Sequence, residues 1–173
     1  IDIKVLSFVN MGIALTNKAI DAALVIQPWA LQYVDRGIGK ILADPDDFAD
    51  PKPLTIAVNF VNTDWAAKNK DLLRRYYVAY QRAVYDYCQA YHGGSTREEI
   101  IKLLVESGTE RKPDNLRKLP WQSRSVSGRV SVESVLDEQE FYINNKFINA
   151  KQPIEKLVDH SYVDAATKLL GPF

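Results

Sequence analysis

The stretch NKAIDAALVIQPWALQYVDRG, residues 17–37, decides how the rest of the chain is read. From Ile20 to Ile26 it is apolar apart from Asp21, a run that suits a strand buried on both faces, as in a parallel sheet. It then meets Gln27, Pro28 and Trp29 and turns helical, with Pro28 at the first helical position, where a missing N–H costs nothing. Gly37 and Gly39 stop that helix. A core strand has no use for an amide, a proline and an indole at its end. A ligand site does, because open α/β sheets bind at the carboxyl ends of their strands.

Working outward, IDIKVLSF opens the chain with Ile1, Ile3 and Val5 in alternation, and residues 2–8 are expected to form a strand. Residues 10–18 are expected to form a short helix with Asn10 as its N-cap. The first 40 residues therefore spell β-α-β-α, and the expected fold class is α/β. Residues 54–62, LTIAVNFVN, supply a third strand with a polar Asn59 inside it. Thr63 or Asp64 is then the expected cap of a short helix.

Beyond this point the chain reads as helix. The longest, residues 71–91, carries Leu72, Tyr76, Ala79, Tyr80, Ala83 and Tyr87 at helical spacing, a face suited to packing with phenolic tips in water. Ser95 and Glu98 form a capping box for the next helix. Residues 107–130 read as loop around a short helix at DNLRKL. An amphipathic helix follows within residues 131–148, and a last one opens at a capping box of Ser161 and Asp164 and stops at Gly171. The change from strand-rich to helical sequence places a boundary near residues 50–60.

The totals exclude several functions. Lys+Arg and Asp+Glu are both 22, so no charge excess points to nucleic acid. No apolar run approaches the roughly 20 residues needed to span a bilayer. Cys88 is the one cysteine and reads as a buried structural thiol. His92 and His160 have no partner at metal-ligand spacing, and the acids of ADPDDFADPKP, residues 43–53, lack the spacing of a calcium loop. No metal, cofactor or catalytic residue is expected, since no nucleophile elbow or phosphate loop is present. What remains is binding. Gln27 can donate and accept, Trp29 offers a flat wall, and Asn10 stands at the equivalent place after the first strand; the residues fit equally well a purely structural reading in which Asn10 is only a cap and Gln27 only a solvated turn residue.

MGIALTNKAIDAALVIQPWALQYVDRGIGKIL resembles the nitrate/sulfonate/taurine-type solute-binding proteins of ABC importers, a group that includes thiamin-pyrimidine-precursor-like binding proteins. Ala14-Leu15, Ala19, Ile20-Asp21-Ala22, Gln27-Pro28 and Gly37 match that group's pattern, while Lys18-Ala19 stands where it commonly has a glycine. VNFVNTDWAAKNKDLLRRYYVAYQRAVYDY, GRVSVESVLDEQEFYINNKFI and EKLVDHSYVDAATKLLG are similar to its later segments, in the same order.

The resemblance implies a partial type II periplasmic-binding-protein fold. Residues 1–53 would be the later part of the second lobe, residues 54–62 a crossing strand, and residues 63–173 the helical end of the first lobe. It implies an extracytoplasmic protein, periplasmic or extracellular, with any lipid anchor on a segment outside this chain. Its partners would be a small-molecule ligand held in an interlobe cleft, an ABC permease and an N-terminal part of the same protein. Asn10, Gln27 and Trp29 become candidate ligand contacts, joined by Asn59 and Phe60 near the crossing strand. Two alternatives stand beside this reading: a pyrimidine-synthesis-type enzyme on the same fold, and a helical protein-interaction module led by residues 71–91.

Overall fold

A computed structural model describes residues 1–44, 47, 50, 55–91 and 93–173. Among them lie α1 (Phe8–Thr16), α2 (Trp29–Asp35), α3 (Thr63–Lys68), α4 (Lys70–Tyr91), α5 (Arg97–Glu106), α6 (Pro113–Lys118), α7 (Val132–Asn144), α8 (Ile154–Leu157) and α9 (Ser161–Leu170). No β-strand is present among the described residues. The chain divides into two units: Ile1–Asp44 with Leu104–Gln122, and Pro45–Leu103 with Ser123–Phe173.

The expected α/β class is therefore corrected, and with it the β-α-β-α segment of a type II binding fold. Residues 1–6 and 55–62 carry strand-like sequence without a hydrogen-bonded ladder. So does the run Ile20–Ile26, and it is not buried on both faces: Leu24 is 78% exposed, and Ala22 and Ile26 are exposed with it. Ala23 and Val25 are half-buried, so the period of two survives with one face covered. Apolar alternation specifies which side chains would share a face. It does not supply the neighbouring backbone whose N–H and C=O groups make a strand part of a sheet. Leu54, most of the loop 43–53 and His92 lie outside the described residues.

Helix ends follow local chemistry closely, at positions offset from those expected. Ser7, not Asn10, caps α1 by accepting from the N–H of Asn10, which sits inside the first turn. Asn62 caps α3 through the N–H of Trp65 at 2.9 Å, in place of Thr63 or Asp64. At α9 the N-cap is His160, and Asp159 accepts from the N–H of Ser161. The C-termini of α1, α2, α5 and α7 each close with two backbone bonds folding back over the last turn, from residues 18 and 19, 37 and 38, 108 and 109, and 146 and 147. That closure needs a left-handed residue. Gly37 and Gly108 supply it freely, whereas Lys18 and Lys146 adopt it at φ 56° and 61°.

In the second unit, α4 and α9 pack side by side and run parallel. Tyr77 stacks on Tyr162 near their starts, and the Tyr85 hydroxyl donates to the Gly171 carbonyl at 2.9 Å near their ends. The buried stripe of α4 is Leu73, Gln81, Val84 and Cys88, rotated from the face expected of it, since Leu72, Tyr76, Ala79 and Ala83 are exposed. Gln81 is wholly buried. Its Nε2 donates to the Val126 carbonyl at 2.7 Å, and its Oε1 lies against the α-carbon of Gly128 with no hydrogen-bond partner.

Candidate functional site

Two concavities bring together side chains able to hold a small molecule, one in each unit. In the first unit α1 and α2 meet at Gly12. A Cβ there would stand 2.8 Å from the Tyr33 ring, so the absence of a side chain is what lets that ring lie against α1. The Tyr33 hydroxyl donates to the Phe8 carbonyl, tying the two helices. Trp29 completes an aromatic row, its ring 6.4 Å from Phe8 and 6.5 Å from Tyr33. Gln27 holds the start of α2, its Oε1 accepting from the N–H of Leu31 at 3.2 Å.

Beside this row lies a concavity of about 230 Å³ lined by Val9, Gly12, Ile13, Thr16, Asn17, Trp29, Tyr33, Arg36 and Ile38. Arg36 is the one charged side chain in that lining, and Asn17 the one amide. A guanidinium in the same lining as aromatic rings offers a planar fork of donors to an anionic oxygen group and an apolar wall to the carbon attached to it. Trp29 and Tyr33 share one face of α2, and Arg36, the C-cap residue three positions on, continues that spacing. That spacing was available in the sequence as a signal for Arg36.

In the second unit the run 58–61 lies over the first half of α4. A larger concavity, about 500 Å³, is lined by Val58, Asn59, Phe60, Val61, Trp65, Leu72, Leu73, Tyr76 and Tyr77. The lining is aromatic and aliphatic, with Asn59 its one amide. Burial, aided by the neighbouring Tyr76 and Tyr80, pushes the Tyr77 hydroxyl above its ordinary value, so it stays a neutral phenol at physiological pH.

The structure thus separates the expected contacts. Trp29 joins Arg36 and Asn17 in one unit, and Asn59 joins Phe60 in the other. Asn10 is exposed on α1, and it and Gln27 stand outside both linings. No group of three or more His, Cys, Asp or Glu side chains able to hold a metal is found among the described residues. His160 is engaged otherwise: its Nδ1 accepts from Arg129 at 3.0 Å, and Arg129 also reaches Asp164 at 3.4 Å. A guanidinium only donates, so the imidazole proton sits on Nε2. Cys88 is buried, and burial raises its thiol above the ordinary range.

Comparison with known families gives a match to the NMT1-like family over residues 1–105. The chain belongs to the NMT1-like family. No curated protein and no solved structure matches it. The NMT1-like match contains α1, α2, the run 55–62 and α4, hence both concavities. It agrees with the resemblance to nitrate- and sulfonate-type solute-binding proteins, and supports a solute-binding-type domain of extracytoplasmic location that takes a small molecule. No helix among the described residues is long and apolar enough to cross a membrane.

Proposed function

We propose that this chain serves as the solute-binding component of an ABC importer, capturing a small organic anion outside the membrane and passing it to a permease. It carries out no chemistry on that solute. The observation that carries this reading is that Arg36 lines the same concavity as Trp29 and Tyr33, a lone cation in a lining otherwise neutral and partly aromatic. Arg36 would take the anionic group in a bidentate grip, Asn17 would add a donor, and Trp29 would pack on the carbon body. Gln27 would act indirectly, by fixing the first turn of α2 that sets the direction of Trp29. Asn59 and Phe60 would offer an amide and an aromatic wall of their own.

The test is calorimetric titration of the protein with short alkyl sulfonates, nitrate and bicarbonate, against neutral sulfonamides of the same shape. Binding should favour the anions, and Arg36→Ala should weaken it by at least tenfold, about 1.4 kcal/mol. Trp29→Ala should weaken it for organic anions more than for nitrate. Equal affinity for anions and neutral isosteres, or indifference to Arg36→Ala, would sink the assignment.

A further inference from the structure

Arg129 ties the segment that leads into α7 to the start of α9. Its Nε and one terminal nitrogen both donate to Nδ1 of His160, at 3.2 and 3.0 Å, and its other terminal nitrogen reaches the Asp164 carboxylate at 3.4 Å. The same segment is held on the helices at two more points. The Val126 carbonyl accepts from the buried Gln81 amide of α4, and Gly128, at φ +66°, sits so close to Gln81 and Val163 that a Cβ would collide with both. The Gly128 N–H closes a turn on the Ser125 carbonyl at 2.9 Å. Amides, carbonyls and aliphatic groups do not titrate, so of these holds the one at Arg129 alone includes groups that take up a proton.

We propose that the contact between Arg129 and His160 is a proton-operated latch, closed while the imidazole is neutral and opened when the ring takes a second proton. The lone pairs dictate this. A guanidinium carries N–H donors and no acceptor, so it can face an imidazole nitrogen only if that nitrogen keeps its lone pair. Protonating Nδ1 removes the acceptor for both Arg129 N–H groups and sets two cations against each other. Arg129 then keeps only its contact with the half-exposed Asp164, a surface pair of small worth. Histidine is the side chain whose charge changes between about pH 5 and 8, so the latch answers to modest acidification.

The other titratable groups at this place are two carboxylates and two phenols. Asp159 accepts from the N–H of Ser161 at 2.8 Å, and Asp164 faces Arg129. From α4, Tyr77 stacks on Tyr162, and burial holds the Tyr77 hydroxyl above its ordinary value, so it stays neutral over this range. Protonating Asp164 would weaken its own contact with Arg129 and leave Nδ1 an acceptor, so it does not open the latch. Opening frees the Arg129 side chain, while the contacts of Val126 and Gly128 with α4 and α9 persist. The response is therefore local, a loosened turn at residues 125–129 beside an intact α4–α9 pair.

Nitrogen NMR of the imidazole, read beside hydrogen exchange from about pH 8 to about pH 5, tests this. Each exchange rate is taken relative to an unstructured peptide at the same pH. At the upper end the ring should be the Nε2–H tautomer, with the Arg129 Nε–H and the Gly128 N–H protected. As His160 gains its second proton, both should lose at least about fivefold in protection, the size expected of a charge-assisted hydrogen bond half in solvent. The Ala166 amide inside α9 should not change. His160→Ala should leave the turn poorly protected at both ends of the range, with no step between them, and Asp164→Asn should keep the step. An Nδ1–H tautomer at the upper end, protection unchanged as His160 titrates, or a step that persists in His160→Ala would overturn the proposal. Far-ultraviolet dichroism confirms that each variant keeps its helices, and the wild-type measurements decide the question without them.

Discussion

The extended runs 1–6, 20–26 and 55–62 are richer in aliphatic residues than the α4–α9 pair, yet the two end in opposite conditions. On the helices Val84, Cys88, Ala90, Val163 and Ala166 are buried. On the runs Ile1, Ile3, Val5, Leu24, Ile56 and Phe60 face solvent. The difference lies in where the backbone finds its hydrogen bonds. A helix satisfies its N–H and C=O groups within itself and then needs only one facing surface. An extended run satisfies neither its backbone nor its apolar face without a neighbour. Where a neighbour exists, the run is held: the N–H of Thr55 donates to the buried hydroxyl of Ser134 in α7 at 2.8 Å. Its following residues, 56–62, are exposed.

Substitutions in the helical part should break this contrast most strongly. Ile101 in α5 is 1% exposed, and Ile101→Ala should cost about 2–5 kcal/mol in denaturant unfolding. Gly128→Ala comes next. A Cβ there would run into Gln81 Oε1 and the Val163 side chain, at a residue whose φ is +66°, and the expected cost is about 1–3 kcal/mol. A Gly128→Ala chain as stable as wild type would mean that the buried Gln81 amide has room to move.

Alkaline titration separates packed from exposed phenols. Burial pushes Tyr87 up from 10.0 to about 12, against the opposing charge of Arg124. The folded state then holds the Tyr87 proton more tightly than the unfolded state does. Its contribution to stability is complete below pH 10 and is lost as pH rises from 10 to about 12. Tyr87→Phe should flatten that part of the stability profile, and ultraviolet tyrosinate absorbance of the wild type should show a late-ionising phenol.

Smaller effects belong to the helix ends and the runs. Lys18 closes α1 in the left-handed region, so Lys18→Gly should stabilise the chain by about 1 kcal/mol. An unchanged melting temperature would show that α1 frays independently of the rest. Val5→Thr should change stability by less than about 0.5 kcal/mol, because its side chain touches little. A larger loss would mean that run 1–6 is packed after all.

Much of the helical part was legible in the sequence. The long helix expected over 71–91 is Lys70–Tyr91, the last one ends before Gly171 as expected, and Gly37 closes α2. Caps were legible as a kind and misplaced as positions. Ser7, Asn62 and Asp159 act in place of Asn10, Thr63 or Asp64, and Ser161 because several suitable residues lie together there and only the entering backbone selects one. The candidate site was legible in part. Trp29 stands in a lining, and so do Asn59 and Phe60, but Arg36, the C-cap of α2, enters the same lining as Trp29 without a sequence motif that marks it.

By itself the sequence determined the helices, their stops and the family, because these depend on residues within a few positions of one another or on their order along the chain. Tertiary structure alone decided that Gln81 rather than Tyr80 lies in the buried stripe of α4, since a rotation of one residue depends on what packs against the helix. It also decided that IDAALVIQPW is an extended run leading into α2, with its amide spent on a helix turn and its indole on a concavity. A strand is a relation between two segments, and the pattern of one segment cannot supply the other.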